Sequence, residues 1–405
     1  MKTVAVISEY NPFHLGHAYQ FNEIRRTFGE DTAIVAIMSG SFVQRGDVAA
    51  FGKFDRAEAA VRAGASLVLE LPFPFSCASA EHFALAGVSL ANDLGVIDAL
   101  SFGSECGDVS LLSDLAEKMN DPAFLRFFRE ALRDKAKKDV GYARVLEESL
   151  LTFYGQAPQV KTDLPNNILA ISYISAIKRL RSSILPHTVL RNGTDEDGPE
   201  SARFAGATHL RALLAKEPKA ILPHVPESTH PTVLRALECG TAPADIERLA
   251  GALLGYFRLA DGKTLASFAE CGGGVAGLLK KTAHSATSFS EWVAASVSKK
   301  YTASRIRRAI LSSYFGVTPD ALKSKPLYTQ VLAMDERGKA VLAHIRKQTK
   351  ISVLTKPADL HKLSPEARKQ AECSYRADSV YALSTPKAQG GDAFLRVCPY
   401  RKECR

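Results

Sequence analysis

Two histidines near the start of the chain have the type and spacing that chemistry at a phosphate requires. His14 and His17 follow the apolar run Val4–Ile7, which predicts a β-strand, and they precede a helical pattern over residues 18–26. A helix N-terminus attracts phosphate, and Gly16 would let phosphates approach the backbone closely. Residues three apart share one face of a helix. The spacing therefore predicts that both imidazoles donate hydrogen bonds to oxygens that gain charge as pyrophosphate leaves.

The alternative for these histidines is a pair of helix-capping or core side chains, because short motifs often match by chance. Their context favours the chemical interpretation. The motif lies within the first twenty residues, between a predicted strand and a predicted helix, and directly after Asn11-Pro12-Phe13. A His-x-x-His pair at such a strand-to-helix turn is typical of enzymes that cleave ATP between its α- and β-phosphates.

A second signal, Gly206-Ala207-Thr208-His209-Leu210-Arg211, lies at the start of a predicted helix late in the same region. Thr208 and Arg211 would place a hydroxyl and a guanidinium on the β- and γ-phosphates. By themselves they could be a capping threonine and a solvated arginine. Their combination with His14 and His17 is far more specific than either half, and it predicts a nucleotidyl-transfer domain.

The loop after the second predicted strand carries further polar side chains. The segment Ser39–Asp47 contains glycines, hydroxyls and an arginine, which suit a small anion or a phosphate, although an ordinary connecting loop fits equally well. Its candidate substrate contacts are Ser39, Gly40, Gln44 and Arg45. Lys53 and Arg56 follow, and they could add positive charge to a leaving pyrophosphate or be solvated residues at a helix start. We place Lys53 in the candidate catalytic set.

Three more positions suit the nucleoside part of a ligand. Gly103 ends a predicted strand and would permit close approach of an adenine or ribose, although by itself a simple turn is the favoured interpretation. Asn166 and Asn167 open a helix, where they could cap it or read the ribose and base with their amides. Arg191 follows another strand and could stack on adenine, bind a phosphate, or be a surface residue.

These positions belong to a regular alternation of strands and helices over the first 215 residues. The predicted strands cover residues 4–7, 32–38, 66–71, 98–103 and 183–190. Charged sequence of helical period over residues 109–154 predicts a helical insertion. Continuous apolar runs indicate strands buried on both faces of a parallel sheet. We therefore predict an α/β fold with a doubly wound parallel-sheet nucleotidyltransferase domain, whose ligands bind at the carboxyl ends of the strands.

The pattern changes near residue 215, where prolines between residues 218 and 231 punctuate a linker-like stretch. Helical sequence dominates beyond it, and the end of the chain mixes apolar runs with many lysines and arginines. A chain of 405 residues is too long for one core. We predict a catalytic nucleotide-binding domain over residues 1–215 and an α-rich domain with a small α/β tail over residues 216–405.

The basic character of the chain suits a polyanionic partner such as RNA. The net charge is +9 and the pI is about 9.1. One predicted helix start carries Arg305, Arg307 and Arg308 just after Tyr301. These residues predict contacts with a phosphate backbone and base stacking on the tyrosine, or else a solvated basic face. We expect the α-rich domain to bind RNA.

Cysteine usage and hydropathy bear on compartment and cofactors. Seven scattered cysteines without a Cys-x-x-Cys pair indicate reduced thiols in a cytoplasm. Cys398 and Cys404 lack other ligands at zinc-like spacing, so we expect no metal site. We also expect neither a signal peptide nor a membrane span. No Ser-His-Asp or Cys-His arrangement indicates an acyl-enzyme.

Taken in order, the motifs resemble those of the bacterial tRNA(Met) cytidine acetate ligase family, within the wider nucleotidyltransferase superfamily. The resemblance covers residues 1–315 and is carried by residues 9–17, 38–46, 165–169 and 301–308. It implies that acetate attacks the α-phosphate of ATP to give acetyl-adenylate and pyrophosphate. The N4 amine of the wobble cytidine in elongator tRNA(Met) would then take the acetyl group and release AMP, which yields N4-acetylcytidine.

The same resemblance implies which residues form the site. His14 and His17 would stabilise the transition state at the α-phosphate, and the loop over residues 39–47 would contact acetate or the cytidine. ATP, as Mg-ATP, would contact Ile7, Ser8, Glu9, Tyr10, Asn11, Pro12, Phe13, His14, Gly16, His17, Gln20, Gly103, Asn166, Asn167 and Arg191. Thr208 and Arg211 complete the predicted phosphate contacts.

Some features leave alternatives open. Gly206 stands where the family pattern has a serine, which removes one phosphate donor. The main alternative is an adenylyltransferase for a small metabolite phosphate, but that activity leaves everything after Arg211 unexplained. A non-catalytic RNA-binding protein with a nucleotide fold is disfavoured by the presence of both the histidine pair and the Thr-x-x-Arg motif. The oligomeric state stays open.

Overall fold

One mixed β-sheet organises the chain. The computed structural model describes residues 1–136, 142–191 and 205–402. The strands in these ranges are β1 (Thr3–Ser8), β2 (Ala33–Ser39), β3 (Phe42–Val43), β4 (Asp47–Val48), β5 (Leu67–Leu71), β6 (Ala99–Ser104), β7 (Leu185–Leu190), β8 (Tyr328–Met334), β9 (Ser352–Leu354) and β10 (Tyr400–Arg401). The hairpin β3–β4 stands apart. The main sheet has the order β10-β8-β5-β2-β1-β6-β7, with β9 beside β8.

The central strands are buried on both faces, as their continuous apolar sequence predicts. In β1, Val4 and Val6 pack into one hydrophobic cluster, while Ala5 and Ile7 pack into another on the opposite face. All residues of β2 are buried. The strands β1, β2, β5, β6 and β7 run parallel to one another, so the predicted parallel core of the sheet is confirmed.

Helices of the first half connect these strands and cover both faces of the sheet. They are α1 (Leu15–Phe28), α2 (Lys53–Arg62), α3 (Ala80–Leu94), α4 (Val109–Asn120), α5 (Pro122–Ala136), α6 (Tyr142–Tyr154), α7 (Pro165–Arg179) and α8 (Ala207–Lys216). The predicted helical insertion is confirmed and consists of α4, α5 and α6. Among the described residues, no helix is long and apolar enough to cross a membrane.

The second half is rich in helices, as predicted. They are α9 (His230–Glu238), α10 (Ala250–Leu259), α11 (Gly262–Ala266), α12 (Val275–Ser285), α13 (Phe289–Ser296), α14 (Ala303–Phe315), α15 (Pro319–Lys323), α16 (Glu336–Gln348) and α17 (Pro365–Tyr381). Several helices between residues 244 and 322 share one hydrophobic cluster with β1, β2 and α1. The predicted boundary at residue 215 therefore does not separate two hydrophobic cores.

The end of the chain returns to the main sheet, which the sequence patterns did not predict. Strand β8 lies antiparallel to β5, and both β9 and β10 lie parallel to β8. The predicted α/β class is correct, but the sheet is mixed because these three strands from residues 216–405 extend it. Local patterns identify a strand without identifying its partner, so this pairing is visible only in the fold.

The position of the site follows from the strand order. Strands β2 and β5 lie on one side of β1, and β6 and β7 lie on the other. In sheets of this kind, ligands bind at the carboxyl ends of the strands where the order reverses. The turn after β1 and the turn after β6 therefore mark the edge at which a ligand is expected.

Candidate active site

The turn between β1 and α1 brings the two histidines into contact. His14 is the N-cap residue of α1, and its Nδ1 accepts a hydrogen bond from the Gly16 amide at 3.1 Å. The Nδ1 of His17 accepts in turn from the His14 amide at 3.2 Å. The two rings are stacked, with their centroids 3.8 Å apart. The capping interpretation is therefore correct, but it does not exclude the chemical one, because capping uses only Nδ1.

This capping determines which ring nitrogen carries the proton. A nitrogen that accepts from an amide has no proton, so each neutral ring carries its hydrogen on Nε2. Burial, with smaller contributions from Arg191 and Arg211, lowers the pKa of His14 to about 3. Burial, followed by His14 and Arg191, also lowers the pKa of His17 well below its usual value. Near pH 7 both histidines are therefore neutral hydrogen-bond donors.

The aromatic residues of the N-terminal motif pack against the ring of His17. The rings of Tyr10 and Phe13 lie 4.9 and 5.3 Å from the ring of His17, between centroids. Both residues also pack against Phe21 of α1. Tyr10 and Phe13 are almost fully buried, so their side chains shape the site without lining it.

Other side chains of this segment that were predicted to contact the nucleotide form hydrogen bonds within the protein. The Ser8 hydroxyl accepts from the Tyr10 amide at 3.3 Å, and Gln20 donates to the Ser101 hydroxyl at 3.3 Å. The buried Asn11 side chain accepts from the Ala50 amide at 2.8 Å. The remaining members of the segment, Ile7 and Pro12, are buried. The segment is thus a rigid support on which a ligand would meet mainly His14, His17 and the backbone.

The late motif lies beside the early one. Arg211 on α8 donates from Nη1 to the Asn11 carbonyl at 3.0 Å, across 200 residues of sequence. Its Nη2 donates to the hydroxyl of Thr208 at 3.1 Å. Gly206 is the N-cap residue of α8 and supplies no side-chain cap. The structure therefore joins the two ends of the predicted phosphate-binding signature at one place.

The end of β6 gathers a second group of predicted contacts. Arg191 lies across Gly103, because a Cβ added at residue 103 would stand 2.9 Å from the Arg191 Cδ. Arg191 also donates from Nη1 to the Asn166 side-chain oxygen at 3.0 Å. The glycine therefore makes room for the arginine side chain. This arginine is also close enough to His14 and His17 to lower the pKa of each.

Glu105, which the sequence analysis did not assign, organises this second group. Its carboxylate accepts from the Asn166 amide, the Asn166 side chain and the Asn167 amide at 3.2, 2.6 and 2.7 Å. A carboxylate at the start of α7 satisfies amides that the helix leaves free. The Asn167 side chain accepts from the Cys106 amide at 3.0 Å. An acidic residue two positions after Gly103, the end of the predicted strand, was the available signal.

Two charged side chains hold the loop over residues 39–47. Glu9 accepts from the Gln44 amide at 2.9 Å. Burial raises the pKa of Glu9, against the opposite effect of Arg211. Arg56 donates to the carbonyls of Glu9, Ser39 and Gly40 at 2.5, 3.0 and 2.5 Å. Arg56 is 2% exposed, so it is a structural support of the loop and not a solvated residue at a helix start.

Lys53 corrects one prediction. Its ammonium group donates to both Glu70 oxygens at 3.0 and 2.9 Å and to an Asp378 oxygen at 2.7 Å. Burial lowers the pKa of Lys53, but Asp378 and Glu70 raise it more, and the net shift is upward. The three donors of the ammonium are thus used within the protein. In this structure Lys53 does not present a free charge to a leaving pyrophosphate.

The basic residues at the start of α14 also bind within the protein. Arg307 pairs with Asp47 at 2.8 Å, and Arg308 pairs with Glu270 at 3.0 Å. Arg305 lies 3.7 Å from the other Glu270 oxygen. Tyr301 is 7% exposed, and its hydroxyl donates to the Gly273 carbonyl. In this structure Tyr301 offers little ring surface for base stacking, and Arg307 and Arg308 connect α14 to Asp47 and the Gln44 carbonyl of the loop over residues 39–47.

The buried acids that complete these networks were missed by the sequence analysis. Glu70 lies within the apolar strand Leu67–Leu71, and a charge inside a strand buried on both faces is a usable signal. Asp378 gives no such signal, because it lies in a helix with many polar residues. Its partner is more than 300 residues away in the sequence.

The side chains gathered here do not form a metal site. Among the residues that the structure describes, no group of three or more His, Cys, Asp or Glu side chains could hold an ion. Cys404, which the sequence analysis considered together with Cys398, lies outside the described residues. What the site offers instead is neutral imidazole donors beside two guanidinium groups, an arrangement that suits the oxygens of a polyphosphate.

Comparisons with known proteins point to the same chemistry. The family model for HIGH nucleotidyl transferases matches residues 1–393. The tRNA(Met) cytidine acetate ligase of Caldanaerobacter subterraneus subsp. tengcongensis is 34% identical over 391 residues, which cover 95% of this chain and 96% of that protein. The ligase of the same name from Clostridium perfringens strain SM101 is 30% identical over 411 residues and 98% of each chain. The crystal structure of Thermotoga maritima TmcAL bound with alpha-thio ATP matches with a TM-score of 0.91 at 28% identity, over all of both chains.

Proposed function

This chain belongs to the HIGH nucleotidyltransferase family and, within it, to the tRNA(Met) cytidine acetate ligases, and we propose that it uses ATP to join acetate to the wobble cytidine of elongator tRNA(Met). It is an ATP-dependent ligase. The observation that carries the proposal is the capped, neutral histidine pair, close to Arg191 and Arg211, in a chain that shares 34% identity with a named ligase over 95% of its length.

The proposed reaction has two steps. A carboxylate oxygen of acetate attacks the α-phosphorus of ATP, the bond from that phosphorus to the bridging oxygen breaks, and pyrophosphate leaves. The N4 amine of the cytidine then attacks the acetyl carbonyl, the amine loses a proton, and AMP leaves with the electron pair of the broken bond. Neither step needs a covalent enzyme nucleophile, so orientation and charge stabilisation are the contributions expected of the protein.

We assign the phosphate chemistry to two histidines and two arginines. His14 and His17 would donate from Nε2 to oxygens at the α-phosphate, where negative charge grows during the attack. A neutral donor suits this task because it strengthens with the developing charge and is present at every ordinary pH. Arg191 and Arg211 would neutralise the phosphates that become pyrophosphate, and Thr208 would add a hydroxyl near Arg211.

The adenosine is assigned to the group at the end of β6. Asn166 would read the ribose or base, and Gly103 with Arg191 would form one wall for the adenine. Asn167 is buried and its side chain binds the Cys106 amide and the Lys161 carbonyl, so it would act by holding this turn in place. The support for this assignment is the set of hydrogen bonds that Glu105 makes to both asparagines, because it fixes their positions before a ligand arrives.

Acetate is assigned to the turn that follows β2. The Ser39 hydroxyl is fully buried and has no hydrogen-bond partner among the described residues. A buried polar group without a partner is uncommon and suggests that a ligand or a water molecule satisfies it. We therefore propose that Ser39 and the adjacent Gly40 contact the acetate carboxylate.

Magnesium would enter with the triphosphate. The described side chains do not form a metal cluster of their own, so a bound ion would be held mainly by phosphate oxygens. It would supply positive charge to the triphosphate when bound. We assign no residue of this chain to it.

The tRNA surface is proposed from the residues that stay accessible. Arg45 in the loop over residues 39–47 is exposed, and Arg305 is one-third exposed at the start of α14. Arg307 and Arg308 would act mainly by connecting that helix to the loop, because their charges are already paired. Because tRNA is the proposed substrate, we also propose that the protein acts in the cytoplasm.

The test is product analysis. The protein is incubated with Mg-ATP, acetate and unmodified elongator tRNA(Met), and the nucleosides are identified by mass spectrometry. We expect an acetylated cytidine whose formation requires both ATP and acetate. Absence of the modified nucleoside, with ATP cleavage only when a small phosphate compound is added, would overturn the proposal in favour of a metabolite adenylyltransferase.

A further inference from the structure

Helix α17, near the end of the chain, contacts the base of a loop at the candidate site. We define residues 41–49 as the site loop. Its base is closed by a hydrogen bond from the Ala49 amide to the Ser41 carbonyl at 2.9 Å. Asp378 of α17 accepts from the Ser41 hydroxyl at 2.6 Å, and Tyr381 of the same helix donates to the Ala49 carbonyl at 2.8 Å. One helix therefore holds both sides of the loop base.

Asp378 also belongs to a buried group of charges under the turn after β2. Its second oxygen accepts from Lys53, which binds Glu70 as well, and the three side chains are at most 3% exposed. A Cβ at Gly40 would lie 2.5 Å from a Glu70 oxygen, so the turn rests directly on this group. Arg56 binds the carbonyls of the same turn. Two basic and two acidic side chains thus lie together under this turn.

The rest of the site loop reaches the histidine motif and α14. Its Gln44 amide donates to Glu9, which lies five residues before His14 in the N-terminal motif. Its Asp47 pairs with Arg307. Gly46 has a φ of +76° and lies against Arg307, where a Cβ would stand 2.6 Å from the Arg307 Cβ. The loop is therefore fixed between the nucleotide motif and the second half of the chain.

We propose that Asp378 is a positioning residue for the first step, acting through Ser41 and Lys53 to hold the turn over residues 39–41 where acetate binds. This inference rests on the proposed function, since it assumes that acetate binds at that turn. It means that the second half of the chain contributes to activation of acetate, and not only to tRNA binding.

Two substitutions test the contact from its two sides. Ser41→Ala removes the donor and leaves the buried charges intact. Asp378→Asn replaces the carboxylate by a neutral amide, so the charge-assisted hydrogen bond that the Ser41 hydroxyl donates to a carboxylate is lost whichever way the amide is oriented. Ser379→Ala is the matched control, because that hydroxyl lies one residue away on α17 and donates only to the Arg376 carbonyl of its own helix.

The assay is acetate-dependent exchange of pyrophosphate into ATP, measured without tRNA. We expect Ser41→Ala and Asp378→Asn each to reduce kcat/KM for acetate about tenfold, because small displacements of positioning groups have large effects on rate. The KM for ATP should change less than about twofold, since the nucleotide contacts lie elsewhere. The double variant should be no worse than the more affected single variant, because both remove the same contact. Ser379→Ala should behave as the wild type.

Three outcomes would overturn the inference. They are an unchanged acetate KM and kcat in Ser41→Ala, equal losses for ATP and acetate, or fully additive effects in the double variant. If the wild type shows no acetate-dependent exchange at all, the proposed function fails instead. Hydrogen exchange of peptides from residues 40–49 then decides the inference separately. Faster exchange in Asp378→Asn than in Ser379→Ala would support the positioning contact, and equal exchange would reject it.

Discussion

Two replacements of His17 separate helix capping from chemistry at the phosphate. The Nδ1 of His17 caps the His14 amide, while Nε2 is the donor assigned to the α-phosphate. In His17→Asn, the side-chain oxygen can take the place of Nδ1 and keep the cap, but nothing replaces Nε2. In His17→Gln, the side chain can keep the cap through its oxygen, as glutamine does at this position of a capping box, or bring its amide nitrogen to the position of Nε2, but not both at once. His17→Asn therefore removes only the donor, whereas His17→Gln divides its side chain between the two roles.

The two roles differ in size. Loss of a capping side chain reduces the free energy of unfolding by about 1 kcal/mol. Loss of a donor to a developing oxyanion reduces kcat by about 10²–10³, or roughly 3–4 kcal/mol of transition-state stabilisation. We expect His17→Asn to unfold like the wild type and to lose about 10²–10³ in the rate of adenylate formation. His17→Gln should lose at most about 1 kcal/mol of stability and retain at least as much activity as His17→Asn.

The assays are pyrophosphate exchange at saturating acetate and ATP for the rate, and urea unfolding for stability. Binding of tRNA serves as the control, because the histidine should act only on the reacting phosphate and leave tRNA affinity unchanged. A wild-type rate in His17→Asn would refute the assignment and leave the histidines as caps. Lower stability in His17→Asn than in the wild type would refute the assignment of the cap to Nδ1, and with it the assignment of the proton to Nε2.

Three further predictions follow from buried or paired charges. Burial lowers the pKa of His14 from 6.5 to about 3. As the pH falls, the unfolded chain therefore takes up a proton on His14 before the folded chain does, and stability is lost. Between pH 7.5 and pH 5.5, urea unfolding should show a loss of stability that is about 1 kcal/mol larger in the wild type than in His14→Asn. Equal losses in the two proteins would contradict the lowered pKa. Arg307→Ala should leave the slope of log K against log salt for tRNA binding unchanged, because Arg307 is paired with Asp47; a slope reduced by about 1 would instead show a phosphate contact. Glu105→Gln should weaken ATP binding about tenfold by calorimetry, whereas Glu147→Gln, which affects only the contact with Thr162, should not.

Sequence patterns were sufficient for features that depend on near neighbours. The strands β1 and β2 are apolar throughout because both of their faces are covered, and this pattern identifies them without any structure. The pair His14 and His17 is equally local, since a capping box needs only residues three apart at a helix start. Long motifs spread over the chain also identified the family, because several matches in order are far more specific than one.

Residues distant in sequence behaved differently. From the sequence, Lys53 is a candidate catalytic cation. The fold places two carboxylates against it, one of them from α17. Tyr301 looks suited to base stacking, but tertiary packing buries its ring. The cost of burying an unpaired charge requires partners from somewhere in the molecule. Nothing in the residues next to Lys53 indicates that Asp378 is one of them.

In the sheet, too, local features could be predicted from the sequence and long-range pairing could not. The central strands β1, β2, β5 and β6 could be recognised from their own residues, because burial on both faces leaves a local record in side-chain type. The return of β8 to pair with β5 could not, because backbone hydrogen bonds are the same for every sequence and carry no mark of the partner strand. The sequence was therefore enough to place the histidine pair at the turn between the first strand and the first helix, whereas only the assembled fold decides which charges stay free to act on a substrate.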